Sequence, residues 1–172
     1  EQESSAPPLP SAYGAMVSDV MKSMEGTFLF EPGRLIAGNA GIMVTKVIYL
    51  KQTPTRNFII VDAAMNDLIR PTLYEAYHDI VPVKDVNAPM IKADIVGPVC
   101  ETGDVFAFDR TLPTVGTGDL IAFRTAGAYG AVMSGTYNAR PLIPEVLVDG
   151  KTMKVIRARP TYEEMLAGYQ IS

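Results

Sequence analysis

Gly41-Ile42-Met43-Val44-Thr45-Lys46-Val47-Ile48-Tyr49-Leu50 decides the fold class of this chain. Ten residues dominated by β-branched and aromatic side chains, opened by glycine and closed before Lys51-Gln52-Thr53-Pro54, predict a strand rather than a helix. The same signature recurs at 27–30, 58–61, 91–96, 119–123, 145–148 and 153–158, so strands dominate from Thr27 onward. Asp149-Gly150 between the last two predicts a hairpin turn with positive φ at both positions. Several segments are apolar at successive positions, which predicts a sheet covered on both faces. Short strands separated by long loops favour a closed barrel or a sandwich, a mainly β fold.

The flanks read differently. Residues 1–10 hold three prolines among short polar residues and predict a flexible linker. From Ser11 to Gly26, Tyr13, Met16, Val17, Val20, Met21 and Met24 recur at helical steps and form an apolar stripe that must pack on something. Ser11 is the expected cap and Gly26 the expected left-handed exit. Thr161 and Glu164 form a capping box opening a short helix through Gly168. The expected organisation is a linker over 1–10, a helix over 11–26 and a β domain over 27–172. A lone helix ahead of an all-β body looks like the tail of a larger architecture.

Composition narrows the function. Among 172 residues, 48% are apolar and 20% charged, enough for one substantial core. A net charge of −4 gives no electrostatic reason to expect nucleic acid or an anionic membrane as partner. No apolar run approaches bilayer length. One cysteine excludes an intrachain disulfide and fits a reducing, cytoplasmic compartment. With one histidine besides, no His/Cys metal cluster is expected.

Four motifs carry chemistry. Glu31-Pro32-Gly33-Arg34 places an acid and a base at a strand end, although taken alone the pattern is better explained as a surface turn with a spare ion pair. In Val61-Asp62-Ala63-Ala64-Met65-Asn66-Asp67-Leu68-Ile69-Arg70-Pro71-Thr72-Leu73-Tyr74, Pro71 suits the first turn of a helix. Arg70 and Tyr74, four residues apart on it, could grip a carboxylate; a helix-end arginine in a surface pair is the plainer alternative. Gly97-Pro98-Val99-Cys100-Glu101-Thr102-Gly103-Asp104 sets the single cysteine in a loop beside acids. Neighbouring negative charge favours the thiol over the thiolate, so Cys100 suits a proton donor better than a nucleophile. Ala126-Gly127-Ala128-Tyr129-Gly130 admits either close backbone approach to a ligand or tight packing. His78 reads as a structural hydrogen-bonder.

In this order, and followed by Tyr137-Asn138-Ala139-Arg140-Pro141, these motifs resemble the second half of diaminopimelate decarboxylases from about Ser11 to Glu164. Ala64 and Ser134-Gly135-Thr136 depart from the usual pattern without removing a chemical group. The resemblance implies an alanine-racemase-like C-terminal β-barrel, preceded by the last helix of a (β/α)8 barrel that holds pyridoxal 5'-phosphate. It implies decarboxylation of meso-diaminopimelate to L-lysine. Glu31 would pair with the pyridine nitrogen, with Gly33, Arg34 and Tyr129 also at the cofactor. Arg34, Arg70, Tyr74, Glu101 and Tyr129 would bind substrate, and Cys100 would reprotonate the α-carbon. Cys100 and Glu101 would serve the other subunit of a homodimer. Ornithine and arginine decarboxylases usually carry Cys-Asp after Gly-Pro, where this chain has Cys100-Glu101.

The lysine that holds the cofactor belongs, in that family, to the (β/α)8 barrel, and no lysine here matches its motif. This chain alone is therefore expected to be inactive. A decarboxylase acting on carboxynorspermidine or another diamino acid, and a non-catalytic binding or assembly module, are the alternative readings.

Overall fold

A computed structural model describes residues 9–85 and 87–170. The expected linker therefore lies almost wholly outside the described residues. The chain divides into two compact units, residues 1–32 and 33–172.

In the first unit, α1 runs over Pro10–Met21. Pro10 occupies the opening turn, where its missing N–H costs nothing, and Leu9 rather than Ser11 is the N-cap, without a side-chain bond. The helix ends five residues before Gly26, although Gly26 does take a positive φ of 146°. Its stripe is only partly covered: Tyr13 meets Phe30 edge to face at 6.5 Å, and Tyr13, Val17, Met21, Phe30 and Pro32 line a shallow apolar groove. The strand expected at 27–30 is absent. Leu29 is 88% exposed, and no ladder is available to hold an extended segment there.

The second unit opens with α2 (Gly33–Ala37) and a 3-10 turn (Gly38–Ala40). Its body comprises β1 (Met43–Gln52), β2 (Asn57–Val61), α3 (Arg70–Tyr74), β3 (Ile80–Pro82), β4 (Met90–Val96), β5 (Val105–Pro113) and β6 (Leu120–Phe123). The hairpin β7 (Glu145–Asp149) and β8 (Thr152–Arg157) follows, then α4 (Tyr162–Leu166). Six strands form one sheet in the order β3-β6-β1-β2-β4-β5. All pairs are antiparallel except β2 with β4. The sheet curls towards closure. Arg110 on β5 donates to the His78 carbonyl at 3.1 Å and lies 4.0 Å over the Tyr77 ring, just before β3.

The concave side holds the core: Val47, Ile59, Val61, Leu68, Ile95, Phe106, Leu112, Ile121 and Phe123, with Phe106 and Phe123 at 4.6 Å. β1 alternates buried and exposed through Val47, with Val44 and Ile48 outward, so it is covered on one face only. β4 and β6 instead bury successive residues, Ala93 to Ile95 and Ile121 to Phe123, as expected of strands covered on both faces. Two strands escaped the sequence reading. β3 has three residues, and β5 is broken by a bulge in which Asp109 takes a φ of 51°. The bulge has a cause: the Asp109 amide donates to the buried Asp94 carboxylate at 2.8 Å, and Arg56 reaches its other oxygen at 2.9 Å.

The β7–β8 hairpin forms as expected, but its turn is displaced by one residue. Asp149 pairs with Thr152, leaving Gly150-Lys151 as the turn, with positive φ on Gly150 alone. The capping box is present: Glu164 N–H donates to Thr161 Oγ1 at 3.1 Å, and Thr161 N–H to Glu164 Oε2 at 2.8 Å.

Candidate functional site

The strand directions decide where the loops go. β2 and β4 are parallel, and β6 and β2 each run antiparallel to β1. The carboxyl ends of β2, β4 and β6 therefore face the same end of the barrel. The loops that follow them carry Arg70 and Tyr74, Cys100 and Glu101, and Tyr129. α2, with Gly33 and Arg34, leads into the start of β1 at that end as well.

The loop after β2 is built around polar groups, of which Asn66 and Asp67 are buried and Asp62 is exposed. Asp62 accepts from Thr45 Oγ1 at 2.5 Å and from the Lys46 amide at 2.8 Å. Asp67, 2% exposed, accepts from the Ala64 amide at 2.9 Å and the Asn66 side-chain amide at 3.1 Å. Burial pushes the Asp67 carboxyl upward, against the Ala64 amide and the Arg140 guanidinium, 3.7 Å away. Arg140 binds the loop a second and third time, donating to Asn66 Oδ1 at 3.1 Å and to the Asp62 carbonyl at 2.5 Å. Asn66 also donates to the Gly135 carbonyl at 3.0 Å, joining this loop to the segment after β6.

α3 starts with Pro71 just inside it, as expected, and ends at Glu75 with a left-handed φ of 52°. It buries Arg70, 9% exposed, and presents Tyr74, 60% exposed. Arg70 Nη1 donates to His78 Nε2 at 3.1 Å, and His78 Nδ1 donates to the Arg124 carbonyl at 2.9 Å. A guanidinium can only donate and a carbonyl only accept, so the ring is the neutral Nδ1–H tautomer. Burial first, and then the Arg70 charge, hold the His78 imidazole below its ordinary value, against the Arg124 carbonyl. His78 thus serves as the structural hydrogen-bonder expected of it.

The loop after β4 hangs on Asp104. Its carboxylate accepts from the Met65 and Val99 amides, both at 2.7 Å, tying the cysteine loop to the loop after β2. Gly97 is required, because a Cβ there would lie 2.2 Å from Asp104 Oδ2. Burial raises the Asp104 carboxyl against the two amides. Thr72 on α3 adds a bond to the Gly103 carbonyl at 2.6 Å. So held, the loop leaves Cys100 exposed, and the neighbouring Glu101 carboxylate accepts from Tyr137 Oη at 3.2 Å.

The Ala126–Gly130 turn resolves in favour of packing at Gly127. A Cβ there would sit 2.1 Å from the Ala37 carbonyl oxygen and 2.7 Å from the Gly41 nitrogen. The Ala126 and Gly127 amides donate to the Gly41 and Gly38 carbonyls at 2.8 and 3.0 Å. This backbone contact fixes the end of α2 against the turn that holds Tyr129, itself at φ 58° and 47% exposed. Arg34 on α2 is exposed. Glu31 lies in the other compact unit, in an irregular stretch, and Gly33 opens α2 instead of closing a strand.

Asp104, Asn66, Asp67 and Arg140 hold these loops together, a role that the sequence motifs containing them do not reveal. The available signal was compositional: acids and an amide between apolar residues at a strand end ask for buried partners.

The sequence profile of the pyridoxal-dependent decarboxylase C-terminal sheet domain matches residues 15–127. The chain is 49% identical over 164 residues to the diaminopimelate decarboxylase of Zymomonas mobilis, covering 95% of this chain and 39% of that protein. It is 47% identical to that of Aquifex aeolicus, covering 91% of this chain and 37% of that protein. The crystal structure of Helicobacter pylori diaminopimelate decarboxylase complexed with L-lysine superimposes with a TM-score of 0.86 at 36% identity, covering 96% of this chain and 41% of that one. The chain thus spans about two-fifths of the length of these relatives. With this match, and with the nearly closed barrel that the six strands form, the chain belongs to the pyridoxal-dependent decarboxylases, of which it carries the C-terminal sheet domain.

Proposed function

We propose that this chain is the substrate-gripping part of a diaminopimelate decarboxylase, a cytoplasmic homodimer that converts meso-diaminopimelate to L-lysine and CO2. The observation that carries the reading is the emergence of the loops after β2, β4 and β6 at one end of the barrel, with Arg70, Tyr74, Cys100, Glu101 and Tyr129 on them. The L-lysine with which the Helicobacter pylori enzyme is complexed fits the same product.

The donor set suits pyridoxal phosphate. An exposed arginine on α2 and an exposed tyrosine on the turn bonded to the end of α2 are a cation and a phenol fit for a phosphate. When bound, the cofactor takes up the electron pair left as CO2 departs. Arg34, the Gly33 amide and Tyr129 hold its phosphate end, and Arg34 and Tyr129 also reach the substrate. The Glu31 carboxylate keeps a proton on the pyridine nitrogen. Arg70 and Tyr74 bind the distal carboxylate and Glu101 the distal ammonium, so a substrate lacking either group is held poorly. Cys100, exposed, delivers the proton from Sγ to the α-carbon. Cys100 and Glu101 serve the active site of the other subunit, and the lysine that holds the cofactor comes from a (β/α)8 barrel.

The test compares CO2 release from meso-diaminopimelate, ornithine and carboxynorspermidine by a protein carrying this chain together with its cofactor-binding barrel, loaded with pyridoxal phosphate. Release from meso-diaminopimelate alone is expected. Equal turnover of ornithine or carboxynorspermidine, which lack the distal carboxylate, would overturn the assignment of Arg70 and Tyr74. This chain by itself is expected to release none.

A further inference from the structure

We propose that His78 is a positioning residue for substrate recognition, which aims the Arg70 guanidinium by presenting it with a fixed lone pair. The inference rests on the reading of Arg70 as the grip on the distal carboxylate. A guanidinium on a long side chain has many orientations, and a bidentate hold on a carboxylate needs one of them. Three observations supply it. His78 is 1% exposed, so its ring cannot turn away into solvent. The Arg124 carbonyl, at 2.9 Å, accepts a hydrogen bond from Nδ1–H, which leaves the lone pair on Nε2. Arg70 Nη1 meets that lone pair at 3.1 Å.

The arrangement runs from the end of β6 through the imidazole to α3, so a rigid strand end sets the direction of a helix-borne cation. The charged groups around the imidazole are mostly cationic. Arg70 faces Nε2, Arg124 contributes its carbonyl while its side chain pairs with Asp79 at 3.2 Å, and Arg110 on β5 donates to the His78 carbonyl. Neither hydrogen-bond partner of the ring is an acid. A proton added to Nε2 would convert the acceptor into a donor facing another donor and set two cations together, which releases Arg70.

Two substitutions separate aiming from filling space. In His78→Gln, the amide oxygen reaches the position of Nε2 and can still accept from Arg70. In His78→Asn, the shorter amide keeps the bond to the Arg124 carbonyl and loses the one to Arg70. In the complete, cofactor-loaded enzyme, His78→Asn is expected to raise KM for meso-diaminopimelate roughly tenfold with kcat nearly unchanged, the signature of misplaced binding. His78→Gln is expected to stay within about twofold of the parent. In an Arg70→Ala background, His78→Asn should add nothing. Equal KM values for the two His78 variants, with Arg70→Ala still raising KM, overturn the positioning role and leave the grip intact. An unchanged KM in Arg70→Ala overturns the grip, and the positioning role with it.

If His78→Asn does not fold, 15N shifts of histidine-labelled enzyme decide the matter, with the His78 signal assigned by its loss in His78→Gln. A pyridine-like Nε2 beside a protonated Nδ1 is expected. A protonated Nε2 at neutral pH overturns the proposal.

Discussion

Asp104→Asn changes one atom and tests how the cysteine loop is held. Both carboxylate oxygens of Asp104 accept, one from the Met65 amide and one from the Val99 amide, each at 2.7 Å. An asparagine can offer only one acceptor oxygen there and must turn its NH2 against the other N–H. One hydrogen bond is lost and one amide is left facing a donor, at a cost of about 1–3 kcal/mol. The opposing term is the relief of desolvation, because burial already disfavours the charged carboxylate. Met65 and Val99 are only partly buried, so water can reach some of what is exposed. The net loss is then expected at the lower end, about 1–2 kcal/mol. Asp104→Ala strands both amides and should lose about twice as much. Urea denaturation of the protein at neutral pH reads these values as midpoint shifts at constant slope. The local consequence is faster amide hydrogen exchange across residues 97–104, since that loop loses its tie to Met65. An Asp104→Asn protein as stable as the parent, with unchanged exchange in this loop, would refute the argument and show that the buried charge costs as much as its two bonds return.

Gly127→Ala should be worse than an ordinary loop substitution, losing roughly 3 kcal/mol or more, because its Cβ would meet the Ala37 backbone oxygen at 2.1 Å and backbone cannot step aside; thermal denaturation measures it. Cys100→Ala in the complete enzyme should slow or misdirect protonation of the product while pyridoxal phosphate absorbance stays near that of the parent. Unchanged turnover and product would remove the proton-donor role. Because the folded-state value of His78 lies below its unfolded 6.5, the unfolded chain takes up its proton first as pH falls, so the contribution of His78 is present above about pH 6.5 and is lost below it. Stability measured from pH 8 to 5 should fall less steeply in His78→Gln than in the parent. Thr161→Ala should unwind α4 at a cost of about 1 kcal/mol, seen as increased hydrogen exchange over residues 162–166.

The legible part of this molecule was the part that repeats a pattern. β1, β2, β4, β6 and the hairpin could be read because each carries apolar residues of strand type, β-branched or aromatic, between breakers. β5 could not, because Asp109-Arg110 interrupts its apolar run, and those two residues are answered by Asp94 and by Tyr77, each distant in sequence. The strand expected at 27–30 shows the converse: residues of strand type stay irregular when no neighbour supplies a ladder. At the candidate site, the ordered motifs single out Arg70, Tyr74, Cys100, Glu101 and Tyr129 as candidates, while the groups that hold their loops were not legible. Nothing local in the sequence says that Asp104 reaches Met65, or that Arg140 closes on Asn66 and the Asp62 carbonyl. Those partners are fixed by which strand ends share one end of the barrel, a property of the topology.

That topology also bears on how the chain reaches its native state. β1 pairs with β6 from Met43 opposite Phe123 through Lys46 opposite Leu120, so a central strand waits for one synthesised much later. Local hairpins can form at once, but β6 must find β1 after the whole of β2 to β5 has been made, and contacts of such long range slow folding. Until it does, the backbone edge of β1 and its apolar residues stand open to other chains. Synthesis of this polypeptide should therefore be most vulnerable to aggregation in the interval before residue 123 leaves the ribosome.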